Sequence, residues 1–406
     1  MMGVNMKRSI LLTAAAVLLA AGTAQAEVAV KLGVLSDMSS LYADIGGPGS
    51  VVAAKMAVED FDPAKNGMKV EVISADHLNK PDVGSNIARQ WYDVDHVDAI
   101  IDVPTSSVAL AVADVTKDKN KVFLISGAAS SDLTGSKCTP NNVHWTYDTW
   151  ALAHGTGGAL VKQGGKTWFF VTADYAFGHA LERDTSDVVK AQGGQVLGAV
   201  NVPLNTPDFS SFLLQAQSSK AQVIGLANAG GDTINSIKQA AEFGIVQGGQ
   251  RLAGLLVFIS DIHALGLKTA QGLTITTAYY WDLNDKTRAF AMRFAKLNGG
   301  KYPSMVQAGV YSETMHYLEA VKKVGSAADG AKVVDAMKAT TYDDPLFGKT
   351  TVREDGRAVH AMYLVEVKKP SESKGPYDYY KVLATIPTEE AFRPLADEKA
   401  MCPLVK

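Results

Sequence analysis

The 406-residue chain holds only two cysteines, no long apolar run after its first 26 residues, and no marked excess of either charge. Two thiols without a histidine at ligand spacing exclude a cysteine-based zinc site. With 39 basic and 42 acidic residues the net charge is −3, so the basic footprint of a nucleic-acid-binding protein is absent. Catalytic signatures are missing too: there is no G-x-S-x-G elbow and no H-E-x-x-H. Gly165-Lys166-Thr167 resembles the end of a phosphate loop, but Leu160 stands where its first glycine belongs, and the segment precedes a β-rich run instead of following one. Asp93, Asp95, His96 and Asp98 lack the glycine turn and terminal glutamate of a calcium loop. His179 and Glu182, at i,i+3, have no third ligand. The chain is therefore expected to carry no cofactor, no metal and no nucleic acid, and not to be an enzyme.

What is present begins with an export signal. Lys7 and Arg8 precede a small, apolar stretch from Ser9 to Gly22, and Ala24-Gln25-Ala26 has the small-x-small cleavage pattern. Residues 1–26 read as a signal peptide, with the mature chain starting at Glu27 and carrying a net charge of −5 (37 basic against 42 acidic). Export places Cys138 and Cys402 in an oxidising compartment, where they have one possible pairing. A disulfide there closes a loop long enough to contribute roughly 5 kcal/mol in the chain-entropy model.

From Val28 onward, short runs rich in aliphatics alternate with amphipathic helical stretches, the pattern of parallel α/β architecture. Strands are expected at Val30–Leu35, Val70–Ser74, Ala99–Val103 and Val122–Ile125, then at Thr167–Thr172, Gln195–Val200, Val223–Ala227 and Gly254–Phe258. The two series share a register point. Pro81-Asp82, a helix and Asp98–Ile101 match Pro207-Asp208, a helix and Gln222–Gly225, with each Asp placed to cap its helix. Two similar lobes follow, completed by a third segment from Leu273 that includes a helix over Met305–Val324. Lys368–Tyr377, rich in charge, Ser, Gly and Pro, reads as an exposed loop.

Four polar, small-residue loops stand between a strand and a helix: 39–49, 104–107, 126–130 and 228–232. In open parallel sheets ligands bind outside the carboxyl ends of the strands, where helix N-termini present unpaired N–H groups to an anion. Together with Leu41-Tyr42-Ala43-Asp44-Ile45-Gly46, Ser106-Ser107, the run Ile125–Ser130 and Asp174-Tyr175-Ala176-Phe177-Gly178, the order of these segments resembles the type 1 periplasmic binding proteins of the leucine/isoleucine/valine-binding group. The resemblance implies two Rossmann-like lobes with parallel sheets, joined by a three-segment hinge. On that reading residues 27–147 and 279–356 form the N-terminal lobe, 148–278 and 357–386 the C-terminal lobe, and 387–406 a tail. It implies a periplasmic, monomeric substrate-binding component of an ABC importer, capturing a small carboxylate ligand and passing it to an inner-membrane permease. A ligand-sensing receptor module is the alternative on the same fold. Ser106, Ser107, Ala128, Ala129 and Ser130 would hold the carboxylate, and Tyr175, Asn228 and Asp261 would act from the second lobe.

The ligand class stays open between an amino acid and an aromatic acid. An α-ammonium needs an acidic partner, and the second lobe offers only Asp232 or Asp261. Aromatics gather at the expected cleft, including Tyr42, Tyr147, Trp150, Tyr175, Phe177, Phe258, Tyr279, Tyr280, Trp281 and Tyr311.

Overall fold

The computed structural model describes residues 27–406; the expected signal peptide lies outside the described residues. Five aliphatic-rich strands, β1 (Val28–Ser36), β2 (Met68–Asp76), β3 (Ala99–Asp102), β4 (Val122–Ile125) and β5 (Asn142–His144), pair in parallel in the order β2-β1-β3-β4-β5. A second parallel sheet of β6 (Thr167–Ala173), β7 (Gln195–Val202), β8 (Val223–Ala227) and β9 (Arg251–Gly254) has the order β7-β6-β8-β9. The second order repeats the first through its four strands. Residues of β3, β4 and β8 are all fully buried, as expected for strands covered on both faces by helices.

The chain then moves between the lobes. After β10 (Thr274–Thr277) it returns to the first sheet, where the helix Met305–Val324 packs along the helix Gly47–Phe61. The long helix starts with a capping box: Ser304 accepts from the Gln307 N–H, while Gln307 accepts from the Ser304 N–H. It ends at Gly325 in a left-handed conformation. A small antiparallel sheet of β11 (Tyr342–Asp344), β12 (Gly348–Val352) and β13 (Ala358–Val359) stays beside the first lobe through a bridge from His144 to Arg357. The last strands, β14 (Met362–Val367) and β15 (Tyr380–Ile386), complete an antiparallel sheet in the order β10-β14-β15 and share the hydrophobic core of the second lobe. The final crossing thus falls between Val359 and Met362.

Some local expectations change. Gly254–Phe258 is not a strand: pairing with β8 ends at Gly254, and Leu255–Phe258 run on as buried chain turned into the cleft. Their apolar character reflects burial between lobes, which a run of aliphatics does not distinguish from burial within a sheet. Asp82 lies inside its helix and caps nothing, because Pro81 is already helical; Asp208 does accept from the Ser210 N–H at 2.9 Å. The Lys368–Tyr377 loop is exposed only in part. Its Tyr377 ring is buried, stacked between Tyr302 at 4.8 Å and His263 at 4.5 Å. Beyond the first crossing, Asp148 caps a helical run that passes through a π-turn at Ala153–Gly157.

Cys138 and Cys402 form the expected disulfide. Among the described residues no helix is long and apolar enough to cross a membrane. The helix Met305–Val324 comes close to the chain just after β4 and β5 at Gly309, where a Cβ would lie 1.9 Å from Thr146 Oγ1 and 2.3 Å from Ser126 Oγ. Those two hydroxyls bond each other at 2.7 Å, and Ser126 also donates to the Val306 carbonyl at 2.6 Å, so neither is free to yield. Gly309→Ala is expected to lower the unfolding free energy by about 1–3 kcal/mol in a denaturant titration. A loss below about 0.5 kcal/mol would mean that the helix shifts freely over the sheet.

Candidate functional site

The loops that follow β1, β3 and β4 meet those that follow β6, β8 and β9 around one cavity. Its walls are Tyr42, Ile45, Pro104, Gly127, Ala129 and Tyr147 on one side, and Tyr175, Phe177, Ala229, Leu256 and Phe258 on the other. No charged side chain lines it. The space between its atoms is about 250 Å³, most of it too narrow for more than a water.

The lobes are closed over the cavity by specific bonds. Tyr42 and Tyr175 share a hydroxyl–hydroxyl hydrogen bond of 2.6 Å across the cleft, and the Gly231 N–H reaches the Leu41 carbonyl at 3.4 Å. Gly230 makes this approach possible. It has φ +58°, and a Cβ there would sit 2.6 Å from the Leu41 oxygen. On the other flank Ser131 donates to Asp184 at 2.7 Å, and Arg183 bonds Asp132 at 3.0 Å and Ser131 at 2.8 Å.

Behind the cavity wall lies a set of anion-seeking donors. Ser106 begins the helix Ser106–Asp118, and its Oγ accepts from the backbone N–H groups of Ala129 at 3.3 Å and Ser130 at 3.2 Å. In this structure both backbone donors are taken up by the Ser106 hydroxyl beside a helix N-terminus, so a carboxylate received there replaces that hydroxyl as their acceptor. The Tyr147 hydroxyl donates to the Gly127 carbonyl at 2.6 Å and so fixes the loop that carries these donors. Burial pushes the Tyr42 and Tyr147 phenols well above their ordinary range, so both remain neutral donors.

The other residues singled out by sequence fall in different places. Ser107 is half-buried and does not line the cavity. Ala128 is buried, with its carbonyl 2.7 Å from the His144 ring nitrogen, and the Ser130 hydroxyl caps the short helix Ser131–Leu133. Trp150 stacks on His154 at 3.5 Å in a separate polar pocket with Arg183 and Arg393. Asn228 turns toward its own helix, accepting from Thr233 at 2.7 Å. Asp232 accepts from the Asn205 N–H at 3.0 Å, and Asp261 from the Phe258 N–H at 2.9 Å. Neither acid lines the cavity, and burial raises Asp232 to about 6 and Asp261 to about 7. Of the lining residues, Leu256 lies outside the loops and aromatics that the sequence singles out, because nothing separates it from core aliphatics.

The model of the family described as periplasmic binding protein matches residues 29–375. The chain belongs to the periplasmic binding protein family. A crystal structure of a periplasmic binding protein from Burkholderia mallei is 53% identical, covering 93% of this chain and 99% of that one, with a TM-score of 0.89. A branched chain amino acid ABC transporter periplasmic ligand-binding protein from Burkholderia xenovorans LB400 is 42% identical over 91% of this chain and 98% of its own, at a TM-score of 0.79. An ABC transporter solute-binding protein from R. palustris in complex with benzoate shares the fold at a TM-score of 0.79 and 22% identity, over 88% of this chain and 97% of that one. These relatives favour solute binding for transport over the receptor alternative.

The raised pKa of Asp261 gives this binding protein a defined pH response. Its carboxyl keeps its proton to about pH 7 when folded, but only to about 4 when unfolded. The stability this confers is complete below about pH 4 and is lost as pH rises through about 7. Asp261→Asn retains the acceptor for the Phe258 N–H and is expected to flatten the pH dependence of the melting temperature between pH 4 and 7. Equal slopes in the two proteins would remove Asp261 as the cause.

Proposed function

We propose that this binding protein is the exported substrate-binding component of an ABC importer, acting as a periplasmic monomer after removal of residues 1–26 and delivering its ligand to an inner-membrane permease. The lobes are assigned as 27–147 with 279–361, and 148–278 with 362–386; the boundary expected at 356/357 moves because β13 pairs with β12 beside the first lobe. Within the small carboxylates, an aromatic acid is favoured over an α-amino acid. The observation that carries this is the cavity wall, which is made of aromatic, aliphatic and glycine surfaces with tyrosine hydroxyls and holds no acidic group to pair with an ammonium. Asp232 and Asp261, the two second-lobe acids weighed for that role, are instead spent on backbone N–H groups. The Ser106, Ala129 and Ser130 donors receive the carboxylate, and Tyr42, Tyr175, Phe177 and Phe258 enclose the ring. Benzoate in the R. palustris solute-binding protein supports the reading as a ligand that this fold accommodates. Lobe closure selects the liganded state, because contacts from both lobes exist together only when closed.

A thermal-shift panel of leucine, valine, phenylalanine, benzoate and 4-hydroxybenzoate tests the ligand class. At 100 times Kd a true ligand stabilises by about 2.7 kcal/mol. Stabilisation by the benzoates and not by the amino acids is expected; the reverse pattern would overturn the aromatic reading. In the same assay Gly230→Ala, which obstructs closure at Leu41, is expected to weaken binding about tenfold or more, while leaving the unliganded melting temperature within a few degrees. Unchanged affinity would detach lobe closure at this seam from binding.

A further inference from the structure

The chain does not end where the second lobe does. β15 finishes at Ile386 in the second lobe, and the remaining residues cross back to the first lobe, beyond the segment that the family model matches. Three sets of contacts hold this tail. Cys402, fully buried, is bonded to Cys138 in the loop between β4 and β5 of the first lobe. The Arg393 carbonyl accepts from Arg353 Nη1 at 2.6 Å, and the Lys406 N–H reaches Glu354 at 3.1 Å, both on the first-lobe segment between β12 and β13. Phe392, also buried, lies under the guanidinium of Arg357 at 4.6 Å and meets the ring of His360 edge-on at 5.4 Å, where the chain makes its last crossing.

The tail also touches the closure seam. Arg393 pairs with Glu398 of the tail at 3.4 Å and extends to Asp184 of the second lobe at 3.7 Å. Asp184 is the acid that accepts from Ser131 across the cleft and from Thr149, at 2.6 Å, on the first crossing. Only Pro387–Glu390 separate β15 from the buried pair Ala391 and Phe392. Four residues span at most about 14 Å when fully extended, and three of them are wound into the single helical turn Thr388–Ala391. Up to Phe392 the link is short and is held by packing; its covalent anchor, Cys402, lies ten residues further on.

We infer that the disulfide-pinned tail is a fourth, covalently closed link between the lobes, which bounds how far the cleft opens. Because Ile386 pairs with Met362 and Phe392 packs on Arg357 and His360, the link runs beside the last crossing, where a fourth connection stiffens the hinge against opening. Limiting the open ensemble reduces the ordering needed for closure and favours ligand capture. The geometry that supports this is independent of which ligand the cavity takes.

Small-angle X-ray scattering of the ligand-free protein tests it. Two variants are compared with the unaltered chain: Cys138→Ser with Cys402→Ser, and an insertion of six Gly/Ser residues between Ile386 and Pro387 that lengthens the leash and keeps the disulfide. The same insertion between Lys374 and Gly375, in an exposed stretch, serves as the length control. Both leash variants are expected to enlarge the radius of gyration by on the order of 1 Å relative to the control, as the lobes open further. A lengthened leash whose scattering matches the control would overturn the proposal, even if the double serine variant is less stable. Should the serine variant fail to fold, the insertion alone decides. Since no ligand is used, this outcome is separate from that of the ligand panel.

Discussion

One buried guanidinium organises the junction between the lobes. Arg357 is fully enclosed, donating to the Tyr147 carbonyl at 2.9 Å and the Ala358 carbonyl at 2.9 Å, and facing Asp148 at 3.5 Å. Burial lowers its pKa only to about 10, so it is charged at neutral pH. A charge held this deep is tolerated only while its partners stay in place. Those partners belong to the first crossing and the last, and Phe392 of the tail covers the guanidinium. Because Tyr147 is both a partner of Arg357 through its carbonyl and a wall of the cavity through its ring, the hinge and the binding site share a residue. Motion at the hinge is therefore felt at the site.

The proposed site is built from neutral groups. The cavity has no cationic wall, yet Ser106 and the Ala129 and Ser130 N–H groups meet at the start of a helix. Backbone groups at helix N-termini carry partial charge without the desolvation cost of a buried lysine or arginine. The same economy limits affinity when the lobes are apart, since each lobe presents only half of the enclosure. Closure completes it through the Tyr42–Tyr175 bond and the approach of Gly230 to Leu41. Binding strength thus depends on lobe geometry as much as on any single contact.

Much of the fold was legible as a pattern in the sequence. The aliphatic runs at Val122–Ile125 and Val223–Ala227 and the helix Met305–Val324 coincide with the observed elements, because continuous burial and helical periodicity act locally. The cavity residues Tyr42, Tyr175, Phe177 and Phe258 stand out in the sequence as aromatics at the expected cleft, and Ala129 as a member of a small-residue loop. Trp150 and Asn228 were marked for similar reasons but face elsewhere, and Leu255–Phe258 was read as strand. In each case the residue type suits two environments, and only the neighbouring chain segment distinguishes them.

The sequence by itself determined the α/β class, the duplication of a βαβ series, the one possible disulfide and the family, because these follow from periodicity, spacing and motif order. Tertiary structure alone decided which face each loop residue presents and that the candidate acids are occupied by backbone N–H groups. Those outcomes depend on contacts between distant segments, as between Tyr42 and Tyr175, 133 residues apart, and no local pattern encodes the direction in which a side chain meets a distant partner.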